Sequence, residues 1–233
     1  MIFNKKVEED KTFRLATPHY YVAQETIAKE IKKRFAFVRG RKLTMLEIGC
    51  GTGLTTEIIL GANSRIKLTA IDNKETIIRE TRKRFGGKKN KRAVFLCADA
   101  LKFLKSRPES SFDAVLSAMV FHNWNNKYRS KVYGEVFRIL KKGGVFVNVD
   151  KVAEDDKKKH KKELEWQMKR FDIFGKMGRS EVREKWRKHY LEDEKPNKIL
   201  KEGDYINELS KVGFKSIKKL YRKHMEASYL AAK

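Results

Sequence analysis

The sequence predicts an α/β fold: a seven-stranded, mostly parallel, doubly wound sheet with a C-terminal antiparallel hairpin and a helical insertion. Three observations predict it. Short Val/Ile/Leu-rich runs alternate with stretches of helical pattern, and a glycine turn sits at the first strand-to-helix junction. The chain then closes on two strand-like runs joined by a tight connection.

Residues 1–42 form an expected N-terminal arm, helical over Tyr20–Phe35. The core is expected over residues 43–150. Its strands are Leu43–Ile48, Ile66–Asp72, Ala93–Cys97, Phe112–Ser117 and Gly144–Val149, apolar runs of the kind buried on both faces of a parallel sheet. Lys74–Phe85 and Lys127–Lys141 read as helices between them, the second stopped by Gly143-Gly144. Residues 151–200 break the alternation as a polar, mostly helical insertion. There Leu164, Met168 and Phe171 share one helical face, as do Trp186 and Tyr190, a stripe that suits either a small core or a lid over the site. Residues 201–233 complete the core sheet with a helix over Asp204–Val212 and strands over Phe214–Tyr221 and Glu226–Ala232.

At 233 residues and 40% hydrophobic content the chain can bury one full α/β core. No apolar run approaches the ~20 residues of a membrane span, and the first ten residues lack the apolar heart of a signal peptide. Cys50 and Cys97 are the only cysteines and show no metal-ligand or disulfide spacing. A cytoplasmic protein with no membrane partner and no metal is the expectation. The charge is strongly positive: 55 Lys and Arg against 30 Asp and Glu, a net +25. Such a field draws polyanions, which makes RNA a partner to consider. The basic residues are spread along the chain without a basic tail, however, and a generally charged surface explains the same count.

The turn Leu46-Glu47-Ile48-Gly49-Cys50-Gly51-Thr52-Gly53 follows a strand and opens a helix, where glycines let a ligand approach the backbone and the first helical N–H groups favour negative charge. Its spacing is GxGxG, and Leu54 stands where a dinucleotide fingerprint has its third glycine. Asp72 ends the second strand 19 residues after Gly53, the place for a carboxylate that accepts ribose hydroxyls, although before Asn73 it also suits a helix cap.

The compact turn preceded by Glu47 resembles motif I of class I methyltransferases that use S-adenosylmethionine (SAM). Cys97-Ala98-Asp99-Ala100 resembles that family's adenine motif, Phe112–Ser117 its fourth-strand motif, and Arg138-Ile-Leu-Lys-Lys-Gly-Gly144 its approach to the fifth strand. The resemblance implies SAM as cofactor, with S-adenosylhomocysteine as product. It implies a site built from Glu47, Gly49, Cys50, Gly51, Gly53, Asp72, Asn73, Asp99 and Ala100. It also implies methyl transfer to a small-molecule acceptor, with Phe121 and Trp124 on the loop facing the cofactor. His122 on that loop is the candidate base; His189, Glu192 and Asp193 are further candidates.

The flanks are similar to a particular branch, the carboxy-SAM synthases that serve a tRNA wobble-uridine modification. Phe3-Asn-Lys-Lys-Val7, Thr17-Pro-His-Tyr20, Gly178-Arg-Ser-Glu-Val182 and the C-terminal Ala227–Lys233 carry that similarity. It implies that Tyr20 reaches the cofactor and that Lys188, with Arg187 beside it, faces the acceptor, where the aromatic insertion also puts Trp186. Lys188 stands where the branch has a carboxylate-gripping arginine, and Ser117 where it has asparagine; a lysine lacks the planar fork. Ordinary methyl transfer is therefore the preferred expectation. An RNA methyltransferase, a carboxy-SAM-type enzyme and a non-catalytic SAM-binding subunit are the alternatives.

Overall fold

The computed structural model describes residues 14–85 and 91–233; the expected match at Phe3–Val7 lies outside them. Helix α1 (Tyr20–Phe35) precedes β1 (Leu43–Ile48), α2 (Leu54–Ala62), β2 (Ile66–Asp72), α3 (Glu75–Phe85), β3 (Ala93–Cys97), α4 (Ala100–Lys105) and β4 (Phe112–Ala118). After a 3-10 turn (Phe121–Asn123) come α5 (Asn126–Ile139) and β5 (Leu140–Lys151), then α6 (Lys157–Arg170), α7 (Asp172–Lys176) and α8 (Ser180–Glu192). Helix α9 (Glu202–Lys211) and strands β6 (Lys215–Lys223) and β7 (Glu226–Ala232) complete the chain.

The seven strands run in the order β3-β2-β1-β4-β5-β7-β6. Strands β1 to β5 pair in parallel, and β7 is antiparallel to both β5 and β6. This is the seven-stranded sheet that the sequence predicts. Between β1 and β4 the strand order reverses, which opens a crevice at their carboxyl ends. Apolar side chains on both sheet faces explain why the strands read as unbroken apolar runs. On one face Ile27, Ile31, Ile59 and Ile78 pack with Met45 and Leu116. On the other, Phe103, Val132, Tyr133, Tyr205 and Leu209 pack with Leu46 and Phe146.

One expectation is corrected in detail. Helix α5 ends at Ile139, not at Lys141, and Gly143-Gly144 is not its stop. Leu140 already has extended backbone and pairs with Phe112. The glycines instead sit in an irregularity of β5: Gly143 has φ +76° and donates to the Lys233 carbonyl at 3.0 Å. A Cβ on Gly144 would stand 2.8 Å from the Lys141 carbonyl oxygen, so the strand closes tightly there.

The insertion folds as a three-helix cap, α6 to α8. Phe171, Phe174 and Tyr190 are fully or nearly fully buried in it, joined by Ala16 from the N-terminal segment and Met225 from the β6–β7 turn. The apolar stripes noted in the sequence are thus core within the cap, with Leu164, Met168 and Trp186 half-buried around it.

Candidate functional site

The crevice between β1 and β4 is a cleft of about 450 Å³. Its floor is the glycine turn, where Gly49, Gly51 and Gly53 have φ of +73°, +52° and +86°. The three glycines serve different ends. A Cβ on Gly49 would lie 2.2 Å from the Val120 side chain, and one on Gly53 would lie 2.3 Å from the Phe85 ring. Gly51 has nothing within 4 Å, so its bare backbone faces open space.

Two strand-end carboxylates flank that opening. Asp72 accepts from the Gly51 amide at 3.1 Å through one oxygen and from the Lys74 amide at 3.0 Å through the other. Asp99 caps α4 by accepting from the Lys102 amide at 2.9 Å, and its second oxygen accepts from the Tyr128 hydroxyl at 2.8 Å. Each oxygen keeps a lone pair for a further donor. Burial, aided by Asp99, pushes the Tyr128 hydroxyl up to about 12. Asp99 therefore caps a helix, and Asp72 braces the turn before one, while both remain at the cleft wall.

Under the floor, Glu47 is buried and accepts from the Thr56 hydroxyl at 2.5 Å; its other oxygen has no partner. Desolvation pushes its carboxyl up to about 8. Ser117, fully buried, donates to the Ile48 carbonyl at 3.0 Å and ties β4 to β1. Cys50 lines the cleft but is buried, and burial pushes its thiol well up, which suits a small filler and not a nucleophile.

Of the residues singled out in the sequence, Tyr20, Gly49, Cys50, Gly51, Asp72, Asn73, Asp99, Ala100 and Trp124 line this one cleft. Glu47, Gly53 and Ser117 support it from beneath. Phe121 lies in the core instead, its ring stacked on Tyr133 with centroids 5.2 Å apart. Arg187 and Lys188 line a separate groove with Met168, Glu184, Leu191, Glu192 and Lys195. The reason is helical phase: α8 turns Trp186 and Tyr190 toward the cap core, which sends the intervening basic pair outward.

His122 does not line the cleft; the next residue, Asn123, does. Its Nδ1 lies 2.5 Å from Asp150, and where Nδ1 donates to that carboxylate in the neutral ring, Nε2 carries the lone pair. Asp150 also accepts from the amides of Phe121 at 2.8 Å and Lys151 at 2.9 Å. Nε2 points at the cap, 3.9 Å from Asp193, and the His189 Nε2 lies 3.7 Å from the same Asp193 oxygen. Sequence reasoning missed Asp150, Tyr128 and Arg129. Arg129 is buried and donates to the carbonyls of Phe121, Trp124, Lys198 and Ile199 at 3.0–3.3 Å.

Residues 46–148 match the methyltransferase domain family model. The chain is 31% identical over 121 residues to the malonyl-[acyl-carrier protein] O-methyltransferase of Paenibacillus sp., covering 52% of this chain and 43% of that one. It is 30% identical over 125 residues to the demethylmenaquinone methyltransferase of Leptospira interrogans, covering 53% and 47%. The chain thus matches less than half the length of these curated relatives. Among solved structures it is similar to the CurJ carbon methyltransferase, with a TM-score of 0.65 and 18% identity over 90% of this chain and 53% of that one, a likeness of fold. Over residues 46–148 the core is thus similar to methyltransferase domains, whose cofactor is SAM, and its sheet has the fold of a methyltransferase. Its cleft fits that cofactor: the turn is open over Gly51, and a carboxylate with spare acceptor capacity stands on either side.

Proposed function

We propose that the chain is an enzyme that transfers a methyl group from SAM to a small-molecule acceptor. The observation that carries this reading is the pairing of Asp72 and Asp99 at adjacent strand ends around the open glycine turn. In this reading Asp72, with Asn73, accepts from the ribose hydroxyls, while Asp99 and the Ala100 amide hold the adenine. Glu47 braces the turn from below, and Tyr20 and Trp124 close the cleft's sides. When bound, SAM supplies an electrophilic methyl group, so the protein need only bind, orient and exclude water. His122, held by Asp150 and one residue before the cleft-lining Asn123, is the residue proposed to activate the acceptor.

The relatives' names support a small acceptor group, since they refer to malonyl-[acyl-carrier protein] and demethylmenaquinone. Neither name refers to RNA, so the +25 charge alone is left to support an RNA substrate. Nothing specific supports the carboxy-SAM branch: Arg187 and Lys188, the residues matched to its extra carboxylate, share no lining residue with the cofactor cleft.

The test is transfer from SAM carrying a labelled methyl group to a pool of small metabolites and, separately, to bulk tRNA. Label in the metabolite fraction is the expected result. Label in tRNA alone overturns the acceptor class, and label in neither favours a non-catalytic subunit.

A further inference from the structure

We propose that His122, His189 and Asp193 form a binding site for one divalent transition-metal ion beneath the cap. His122 comes from the turn after β4, while His189 and Asp193 stand four residues apart at the C-terminal end of α8, Asp193 being its C-cap. One nitrogen from each histidine and one Asp193 oxygen lie within 4.8 Å of one another. The two edges to Asp193 measure 3.9 and 3.7 Å. A tetrahedral ion with bonds of ~2.0–2.1 Å sets its ligand atoms ~3.4 Å apart, so both edges need to close by only about 0.5 Å or less.

The surroundings are those of a ligand set. Asp150 lies 2.5 Å from Nδ1 of His122, and where Nδ1 donates to it in the neutral ring, Nε2 carries its lone pair toward the gap, the usual carboxylate–histidine–metal arrangement. His122 and Asp193 are buried and His189 is half-buried. Lys198 stands 2.8 Å from one Asp193 oxygen and Lys151 3.5 Å from the other, while Lys151 also reaches Glu194 at 3.2 Å. Two imidazoles and one carboxylate suit zinc, iron(II), cobalt(II) or nickel(II), not magnesium or calcium.

Three protein ligands leave a coordination position open. An acceptor oxygen taking it would have its pKa lowered by the ion, and His122 would activate the acceptor through the metal. That last step rests on the methyl-transfer reading; the binding site does not.

The experiment uses the full, tag-free chain after chelator dialysis. Titration with Co²⁺ is followed by visible absorption, and titration with Zn²⁺ by calorimetry, with SAM affinity measured in parallel. One ion per chain with visible Co²⁺ bands is expected. His189→Ala and Asp193→Ala should weaken binding by about 100-fold or more, and Asp150→Asn by about 10–100-fold. His224→Ala, which removes a ring stacked on Trp166, should leave it unchanged. Wild-type protein without Co²⁺ bands, or affinity unaltered by His189→Ala, overturns the site. Because the wild-type spectrum is itself a test, a variant that fails to fold does not rescue the proposal. Metal binding without SAM binding would sink the cofactor reading and leave the metal site standing.

Discussion

Burial sets an unfavourable state for Glu47, and the consequence is a pH dependence. Its folded carboxyl is pushed up to about 8 by desolvation, above the ordinary value of 4.5. A carboxyl with a raised folded pKa binds its proton more tightly in the folded chain. Its cost to stability is therefore absent below about pH 4.5, grows as pH rises toward 8, and is complete above that. Glu226, pushed up to about 7 by burial, adds a cost of the same sign over a lower window. Glu47→Gln should thus raise the midpoint of thermal unfolding at pH 8.5 by several degrees and change it little at pH 5. An equal shift at both pH values would show that ionisation is not what Glu47 contributes. Residues at this scale were legible where spacing along the chain encodes the site. Asp72 and Asp99 each follow a strand, so counting from the glycine turn finds them. The His122–Asp150 pair was not legible, because its members are 28 residues apart and meet only through the pairing of β4 with β5.

Among elements, Arg129 ties the loop after β4 to the segment that leads back from the cap. Its guanidinium holds the carbonyls of Phe121 and Trp124 on one side and those of Lys198 and Ile199 on the other. Removing it leaves buried carbonyls unpaired, at a cost of roughly 1–3 kcal/mol for each group that water cannot reach. Arg129→Ala should therefore lower the denaturant midpoint by the equivalent of about 3 kcal/mol or more, and Arg129→Lys should recover only part of it. A loss below about 1 kcal/mol would mean the loop and the segment are held by other contacts. The boundaries of β1, β2, β3 and β7 and of α1 were legible because apolar runs and helical periodicity end sharply there. The end of α5 was not. Gly143-Gly144 carries a strong helix-stop signal, yet the physical demand on it is a tight strand irregularity beside Lys233.

For the whole molecule, the sheet order follows from the alternation of strands and helices, and the terminal hairpin from its two closely spaced strands. The role of the insertion was open in the sequence, since an apolar stripe serves a core and a lid equally. Packing resolves the stripe into a separate small core of Phe171, Phe174 and Tyr190, distinct from the two faces of the main sheet. Phe171→Ala should therefore loosen the cap at a cost of about 3–5 kcal/mol to the cap's packing. Turnover of an acceptor should fall while SAM affinity stays within about twofold, because Asp72 and Asp99, the carboxylates proposed to hold ribose and adenine, lie at strand ends of the main sheet. Parallel loss of both would make the cap part of the cofactor site.

The central claim is that the crevice between β1 and β4 holds SAM through the glycine turn and its two flanking carboxylates. Calorimetric titration of SAM into wild-type chain, Asp72→Ala and Gly51→Val tests it most directly. The account predicts one SAM per wild-type chain. It predicts a loss of roughly 1.5–3 kcal/mol per lost hydrogen bond in Asp72→Ala, about tenfold or more in affinity. Gly51→Val, with a side chain in the open space at a left-handed residue, should weaken binding at least as much. Wild-type protein that takes up no SAM, or affinity unchanged in both variants, would contradict it.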